Sequence, residues 1–524
     1  MSSSSPKVVE GFPHSVTENS ATIYYRDKNE VFYNPVQESN RDLSICVMKN
    51  FIALRQKEWD EKQNKRIAKN PDATPYPLRK PRVLEALSAT GLRSIRFCKE
   101  IVSETGEPLL GSVLVNDLEQ AAYESIQRNL EHNDVPKDLG IANLGDATQV
   151  MYNHRDKDNQ FDIIDLDPYG SAGIFLDGAV QSVSDGGLLS VTCTDLKVLC
   201  GNHPEVCFSK YGAMPLRGKM SHEMAVRLVL KTLEAHANLY KRHIVPLVSM
   251  YIDFYVRVFV RVFTSPATVK EAPAKISHVF QCTGCTSLHF NPIGKVTPTK
   301  DTPKISVSLG PPVGSHCAEC GSRFRMGGPI WTHPTVNEDF LKGVLAEMEG
   351  HKEKYGHHKR MIGKLKSLQD ELHTAPLFHT CGEIANVLHC TTPATAVVTS
   401  ALKKKGYQVT ASHSEPGAIK TDAPVSLIWD FFRCWVKQNP VTRKMADDSP
   451  AARILSKEPK EILELGVDEE EKEKKKKRKT EPGRFLPNPR EGWGPGSRAH
   501  CGKKRKIDEE EGKGKEESAP MEEE

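Results

Sequence analysis

The sequence predicts an α/β chain, with a doubly wound, mostly parallel sheet followed by a smaller α+β domain. Three observations carry this. Between residues 83 and 193, short apolar strands alternate with amphipathic helical stretches, the pattern of parallel sheets with crossover helices. The run Phe161-Asp-Ile-Ile-Asp-Leu-Asp-Pro-Tyr-Gly-Ser171 ends a strand at a proline, which has no N–H to continue a ladder. Beyond residue 270, two Cys-x-x-Cys pairs and a helix–helix–strand–strand–helix pattern mark a unit of another kind.

Taken in order, residues 1–20 read as a loose tail, and 24–34 are strand-like up to the turn Val31-Phe32-Tyr33-Asn34-Pro35. Asn40-Arg41-Asp42 opens a helix expected to run to about residue 55, and the polar, Lys- and Pro-rich stretch 57–81 reads as a surface insertion. Strands follow at 83–87 and 112–117, helices at 91–101 and 119–132, and a turn at Gly145-Asp146-Ala147. The strand into Asp167, a helix from Ser171 and a strand at 187–193 complete the alternation. Residues 250–263 read as one long strand, with Val256, Val258, Val260 and Val262 on a core face and Arg257 and Arg261 on the other. An aromatic–arginine face can bind RNA, but arginine stems also cover sheets, and the structural reading is preferred. Residues 378–436 read as a winged-helix-like unit, with Thr392-Pro393 opening its second helix.

Composition narrows the class. No run of about 18 apolar residues occurs, so no membrane span is expected. The Ser-rich start lacks the basic and apolar regions of a secretory signal; nearly free of Arg, it leaves a mitochondrial presequence as the lesser reading. Thirteen scattered cysteines fit a reducing compartment better than a disulfide framework. The net charge is only +4, yet residues 468–524 alternate acidic and basic blocks and are expected to be disordered. Two of the basic clusters, at 474–479 and 503–506, resemble a bipartite nuclear-import signal; the plainer reading is a solvated tail.

The chemistry concentrates at strand ends. Ligands of open α/β sheets bind outside the carboxyl ends of the strands, where Asp167, Tyr169 and a glycine turn are delivered. Acidic-Pro-aromatic turns of this kind resemble the fourth motif of amino-methyltransferases, which hold an exocyclic base amine against a methyl sulfonium. Asp167 is the candidate to accept the amine N–H, with Asp165, expected on the other strand face, in support. A base inside folded RNA must be extruded and stacked, and Tyr169 and Phe32 are the candidate platforms; Phe32 fits core packing equally. The turn Ser88-Ala-Thr-Gly91 after the first strand is not Gly-x-Gly-x-x-Gly, which argues against a pyrophosphate and suits S-adenosylmethionine. Asp117 is placed for ribose hydroxyls and Asp146 for the adenine amine. Cys282, Cys285, Cys317 and Cys320 match a zinc ribbon over 282–320, against core cysteines or a reactive pair; four thiolates would make the metal structural, with a loop bulging between the knuckles.

These motifs together resemble the tRNA guanine-26 N2-dimethyltransferase family. The resemblance runs through Val31-Phe-Tyr-Asn-Pro35, Asn40-Arg-Asp42, Leu87-Ser-Ala-Thr-Gly-Leu-Arg93 and Asp165-Leu-Asp-Pro-Tyr-Gly-Ser171. It continues in Thr192-Cys-Thr-Asp195, Lys210-Tyr-Gly212, Pro215-Leu-Arg-Gly218 and His222-Glu223, with a late patch at Gly483-Arg-Phe485 and Trp493-Gly-Pro495. It implies an enzyme transferring two methyl groups in turn from S-adenosylmethionine to the N2 amine of guanine 26 of tRNA. By the same resemblance Arg41, Arg93, Asp117, Asp146 and Ala147 hold the cofactor, Asp167 handles the amine, and Phe32 and Tyr169 pack the guanine. Some animal members carry a further zinc finger near the C-terminus, where this chain has only Cys501. The implied organisation is a tail at 1–20, a Rossmann-like methyltransferase domain at 21–265, a C-terminal tRNA-binding α+β domain at 266–445 holding the zinc ribbon and winged-helix-like unit, and a charged tail at 446–524. The expected location is the nucleus, with cytoplasmic or mitochondrial pools beside it. The alternatives are another nucleic-acid amino-methyltransferase, or a non-catalytic tRNA-binding protein on the same fold.

Overall fold

A computed structural model describes residues 9–27, 33–72, 74–300, 303–478, 481–489 and Trp493. Its centre is a seven-stranded sheet. The strands are β1 (Arg82–Glu85), β2 (Ser112–Asp117), β3 (Gly140–Leu144), β4 (Phe161–Leu166), β5 (Val183–Cys193), β6 (Arg242–Ile252) and β7 (Tyr255–Thr264). They lie in the order β3-β2-β1-β4-β5-β7-β6. The first five are mutually parallel, and β7 runs antiparallel to both β5 and β6. The order reverses between β1 and β4, so a crevice must open above their carboxyl ends. The expected Rossmann-like α/β class is the class observed.

Helices cover both faces. On one lie α1 (Glu38–Lys69), α2 (Leu92–Glu100) and α3 (Gln120–His132); on the other lie α4 (Ala147–Asn153), α5 (Leu176–Ser182) and α6 (Ser221–Leu239). Residues 250–263 are not one strand. Ile252 pairs with Tyr255, and Asp253-Phe254 forms a two-residue turn with Asp253 at φ 48°. Apolar alternation runs unbroken across the turn, so the sequence hides it. Both faces of β7 are buried: Val256, Val258, Val260 and Val262 pack under α6, while Arg257 and Arg261 are spent on Asp165 and Glu58.

Two boundaries also move. Helix α1 continues to Lys69 through residues assigned to an insertion, because Gln, Glu, Lys and Arg are strong helix formers even without a buried face. Trp59 closes the loop after it, donating its indole N–H to Tyr76 O at 3.1 Å. The expected N-terminal tail contains the strand His14–Glu18, paired with Ala21–Tyr25. Glu18 anchors it, binding the guanidinium groups of Arg41 and Arg96. Burial alone would raise the Glu18 carboxyl, but the two arginines outweigh that and hold it down from its ordinary 4.5 at about 2. A depressed carboxyl stabilises the fold above its unfolded value and loses that contribution as pH falls through the folded one, here about 3 kcal/mol lost between pH 4.5 and 2. Glu18→Gln should therefore be less stable at neutral pH and show a flatter stability profile over that window in urea unfolding. Parallel profiles would contradict this role.

The second unit begins with a three-stranded antiparallel sheet, Leu288–Pro292, Ile276–Cys282 and Phe324–Trp331, whose Val279, Ile330 and Trp331 share a core with α6. Helices α7 (Glu338–Gly350) and α8 (His358–Gln369) return to the first unit and pack near α1, so the boundary at 265 does not separate two independent cores. The winged-helix-like unit has helices Cys381–Leu388, Thr395–Lys404 and Val425–Gln438, with a small sheet of His379–Thr380, Ala418–Thr421 and Val409–Thr410. Its second helix starts at Thr395 with Ala394 as N-cap, two residues beyond the expected Thr392-Pro393 start. A buried ionic chain crosses to the first unit: Lys420 Nζ lies 2.6 Å from both Glu223 of α6 and Glu371, and His413 lies 2.6 Å from Glu371.

The charged tail proves ordered well past 446. The helix Pro450–Leu455 buries Ala451 and Ile454 against the winged-helix-like unit, and Leu463 joins them. Residues 469–478 are helical, with Lys403 of the preceding unit bound to Glu470 and Glu471. Apolar side chains hidden among charges account for the first contact, and ion pairing for the second. The basic cluster at 503–506 and Cys501 lie outside the described residues. Among those described, no helix is long and apolar enough to cross a membrane.

Candidate active site

The crevice above β1 and β4 is a cavity lined by Tyr33, Asn34, Gln37, Arg41, Glu85, residues 87–90, Leu92, Arg93, residues 167–169, Thr194 and Phe254. Backbone chemistry shapes both of its main walls. After β1, Gly91 at φ 76° caps α2 and Ala89 sits at φ 49°, a left-handed conformation uncommon for a residue with a side chain. Asp117 Oδ2 pins that turn by accepting the Ala89 N–H at 2.8 Å. After β4, Gly170 at φ 75° folds the chain back, exchanging hydrogen bonds with Thr194: its N–H reaches Oγ1 and its C=O takes the Thr194 N–H, both at 2.8 Å.

Asp167 stands at the end of β4, its side chain 17% exposed. One oxygen, Oδ2, accepts from Arg93 Nη2 and, at 3.3 Å, from Asn40 Nδ2. Asn40 is fully buried and its Oδ1 has no protein partner among the described residues, leaving an acceptor beside the carboxylate. Asp165 does not point to the opposite face: in a strand, residues two apart share a face. It lies under Asp167 on the α1 side, 2.5 Å from Arg257 Nη2 and 3.7 Å from Arg93. Arg93 thus spans Asp167, Asp165 and, at 3.5 Å, Glu85. Burial pushes the Glu85 carboxyl up to about 7 against the pull of Arg93.

Arg257 has no contact with the cavity and serves as the buried counter-ion of Asp165, also donating to Thr192 Oγ1 at 2.7 Å and Ser44 Oγ at 2.8 Å. Arg257→Met, which leaves the buried Asp165 with only the longer contact to Arg93, should cost about 3 kcal/mol of stability in urea unfolding. Adding Asp165→Asn should return part of it; a double variant as weak as the single would rule out the ion pair as the cause.

The structure brings Arg41, Arg93, Asp167 and Tyr169 to one cavity. Tyr169 is 68% exposed at its mouth, where an aromatic ring has no core to fill. Arg41 lines the wall but is already engaged by Glu18 and by Asn34 O. Asp117, Asp146 and Ala147 stand beside the cavity rather than on its wall. Asn116 ties their loops together, donating to Ala86 O and Gly145 O at 2.9 Å each, and Asp146 Oδ1 caps α4 through the Gln149 N–H at 3.0 Å. Phe32 lies outside the described residues; its neighbour Tyr33 is on the wall. The sequence reading missed Asn40, Thr194, Glu18 and Arg257 as site builders. For Arg257 a signal existed, since an arginine inside an apolar strand needs a buried carboxylate.

A second constellation is separate. Cys282, Cys285, Cys317 and Cys320 are all buried with sulfurs within 4.8 Å of one another. Cys282–Cys320 and Cys285–Cys317 sulfurs are 3.3 and 3.6 Å apart. The spacer between knuckles holds a hairpin, Gly294–Thr297 with Lys304–Val307. His289, His316 and His333 do not join the cluster.

A cavity at a sheet reversal, walled by a carboxylate turn with an exposed aromatic at its mouth, is the arrangement of a Rossmann-type methyltransferase. Residues 11–433 match the TRM family model, described as N2,N2-dimethylguanosine tRNA methyltransferase. The chain is 42% identical over 522 residues to the mouse tRNA (guanine(26)-N(2))-dimethyltransferase, spanning 94% of this chain and 77% of that protein. It is 36% identical over 533 residues to the mitochondrial tRNA (guanine(26)-N(2))-dimethyltransferase of Saccharomyces cerevisiae, spanning 92% of each. Among solved structures it resembles Trm1 from Pyrococcus horikoshii in complex with S-adenosyl-L-methionine, with 28% identity, a TM-score of 0.62, and coverage of 79% of this chain and 98% of that one. The chain belongs to the N2,N2-dimethylguanosine tRNA methyltransferase family.

Proposed function

We propose that this chain transfers two methyl groups in turn from S-adenosylmethionine to the N2 amine of guanine 26 of tRNA, yielding N2,N2-dimethylguanosine. The observation that carries the reading is Asp167, held by Arg93 and Asn40 at the mouth of a cavity that has an exposed aromatic beside it. When bound, S-adenosylmethionine supplies the methyl group on a sulfonium. Of the residues the family resemblance assigns to it, Arg93 and Arg41 line the cavity and would face its carboxylate, while Asp117 would hold ribose hydroxyls and Asp146 with Ala147 the adenine from the loops beside the cavity. The lone pair of a guanine amine is delocalised into its ring, which makes it a poor nucleophile. Asp167 accepts one amine N–H, makes the nitrogen more nucleophilic and takes the proton as the N–C bond forms and the sulfur–methyl bond breaks, the electron pair returning to sulfur. The monomethyl amine keeps one N–H, so the same carboxylate, once its proton has passed to solvent, serves the second round. Tyr169, with Phe32, packs the extruded guanine.

Zinc at the four cysteines is the structural part of this proposal. Zn–S bonds of about 2.3 Å in a tetrahedron require sulfurs about 3.8 Å apart, close to the spacings above. Four thiolates leave no position for a substrate, so the metal would hold the second unit together. That unit and the basic blocks suit tRNA. The basic clusters favour a nuclear address, and the mitochondrial name of the yeast relative favours a mitochondrial pool.

Incubation with unmodified tRNA and labelled S-adenosylmethionine, followed by nucleoside analysis, tests the reaction. Label in N2,N2-dimethylguanosine that disappears when guanine 26 is replaced is the expected result. Label in another nucleoside would reject the site.

A further inference from the structure

The β6–β7 turn stands on the same edge of the sheet as the Asp167 turn, and its second residue, Phe254, lines the cavity with Tyr33, Asp167 and Tyr169. One side of Phe254 packs on the core, with its ring edge-on to Tyr255 at 5.4 Å; the residue also borders the cavity and, towards Phe485 and Trp493, a second pocket. A tight turn is ordinarily filled by Asn or Gly, so an aromatic here calls for another reason.

The turn is also held from outside the methyltransferase sheet. Asp253 Oδ1 accepts from Arg360 Nη2 of α8 at 2.6 Å, and Oδ2 accepts the Trp493 indole N–H at 3.0 Å. Arg360 reaches further, to Leu486 O at 2.8 Å and Pro487 O at 3.1 Å. Arg484 pairs with Asp370, the Lys364 ammonium lies 5.2 Å over the Phe485 ring, and the Gly483 carbonyl packs on Gly363. Residues 483–489 and Trp493 thus form a strap from the far end of the chain, laid along α8 and ending on the carboxylate next to Phe254.

We propose that Phe254 is a wall of the target-base pocket, and that the C-terminal strap is a positioning element that sets this wall through Asp253. The inference rests on the guanine-methylating reading above. In it, Phe254 touches the extruded base, while Asp253, Arg360 and Trp493 act only through Phe254. Two methylations of one amine require the base to stay seated, or reseat, after the first; a loosened wall then loses the second methyl before the first.

The test compares wild type, Phe254→Ala, Phe254→Tyr, Trp493→Phe and the double variant Phe254→Ala/Trp493→Phe, all full-length, on unmodified tRNA. Base stacking on an aromatic corresponds to about 10-fold in affinity or more. Phe254→Ala should therefore raise KM for tRNA about 10-fold and lower the ratio of dimethylated to monomethylated guanosine, while Kd for S-adenosylmethionine stays unchanged. Phe254→Tyr should restore both. Trp493→Phe, which keeps the ring and removes the indole donor to Asp253, should shift the ratio the same way, with little further shift in the double variant. A wild-type ratio for Phe254→Ala, or an equal loss of cofactor affinity, would overturn the role of Phe254. Independent, additive effects would overturn the strap's. Wild type that fails to methylate guanine would instead sink the underlying reading, so the two failures are distinguishable.

Discussion

Replacing Asp167 by asparagine should lower methyl transfer by about 100- to 10,000-fold, the range for losing a positioned proton acceptor. Asparagine keeps the shape of the side chain but cannot take the amine proton. Arg93 retains Asp165 and Glu85 as partners, so the wall after β1 should hold its place. Single-turnover methylation of unmodified tRNA, with separate binding measurements for tRNA and S-adenosylmethionine, checks this. The expected signature is a collapsed rate with both ligands still bound. A rate within about threefold of wild type would remove Asp167 from the chemistry, since general-base losses are far larger. Collapsed cofactor binding would show that Asp167 acts by holding Arg93.

Cys317→Ser should have the largest effect on stability. The four cysteines are buried in the same apolar cluster as Leu388, Leu402, Phe431 and Ile454 of the winged-helix-like unit and its following helix. Around them, Trp429 Nε1 donates to Ser287 Oγ at 3.0 Å, and Arg433 pairs with Glu319 inside the second knuckle. Structural zinc contributes about 10–16 kcal/mol of apparent binding free energy in small zinc domains, and binding of that kind is folding free energy. Losing one thiolate of the zinc site proposed above should therefore abolish stoichiometric zinc binding and melt this unit first, seen as an early transition in calorimetry. Chelation of the wild type should reproduce it. An unchanged melting curve after confirmed metal loss would show that the apolar cluster suffices without a metal.

Local chemistry made the centre of the site readable in advance. A proline after Asp165-Leu-Asp167 ends a strand wherever it occurs, and two Cys-x-x-Cys knuckles announce themselves by spacing. What stayed hidden depends on partners far along the chain. Glu18 looks like an acid in a tail until Arg41 and Arg96 are brought to it. The turn at Asp253-Phe254 has an aspartate but no glycine to announce it, and its further support comes from Arg360 and Trp493, far along the chain. The extension of α1 over 56–69 has no apolar stripe to betray it, being closed by one tryptophan on Tyr76. The ordering of 450–478 was masked by its charges, which outnumber the few apolar side chains that dock it.

The ionic chain from Glu223 through Lys420 to Glu371 gives the molecule the character of a calliper. Lys420 is 1% exposed, and each carboxylate it touches belongs to a different packed element, so sliding one jaw past the other would bare an uncompensated charge. The chain ties the element that carries Glu223, packed beneath the central sheet, to the winged-helix-like unit. For the tRNA substrate proposed above, a backbone held by that unit would reach the pocket at a set distance, and selection of a position would be an act of measurement rather than of spelling.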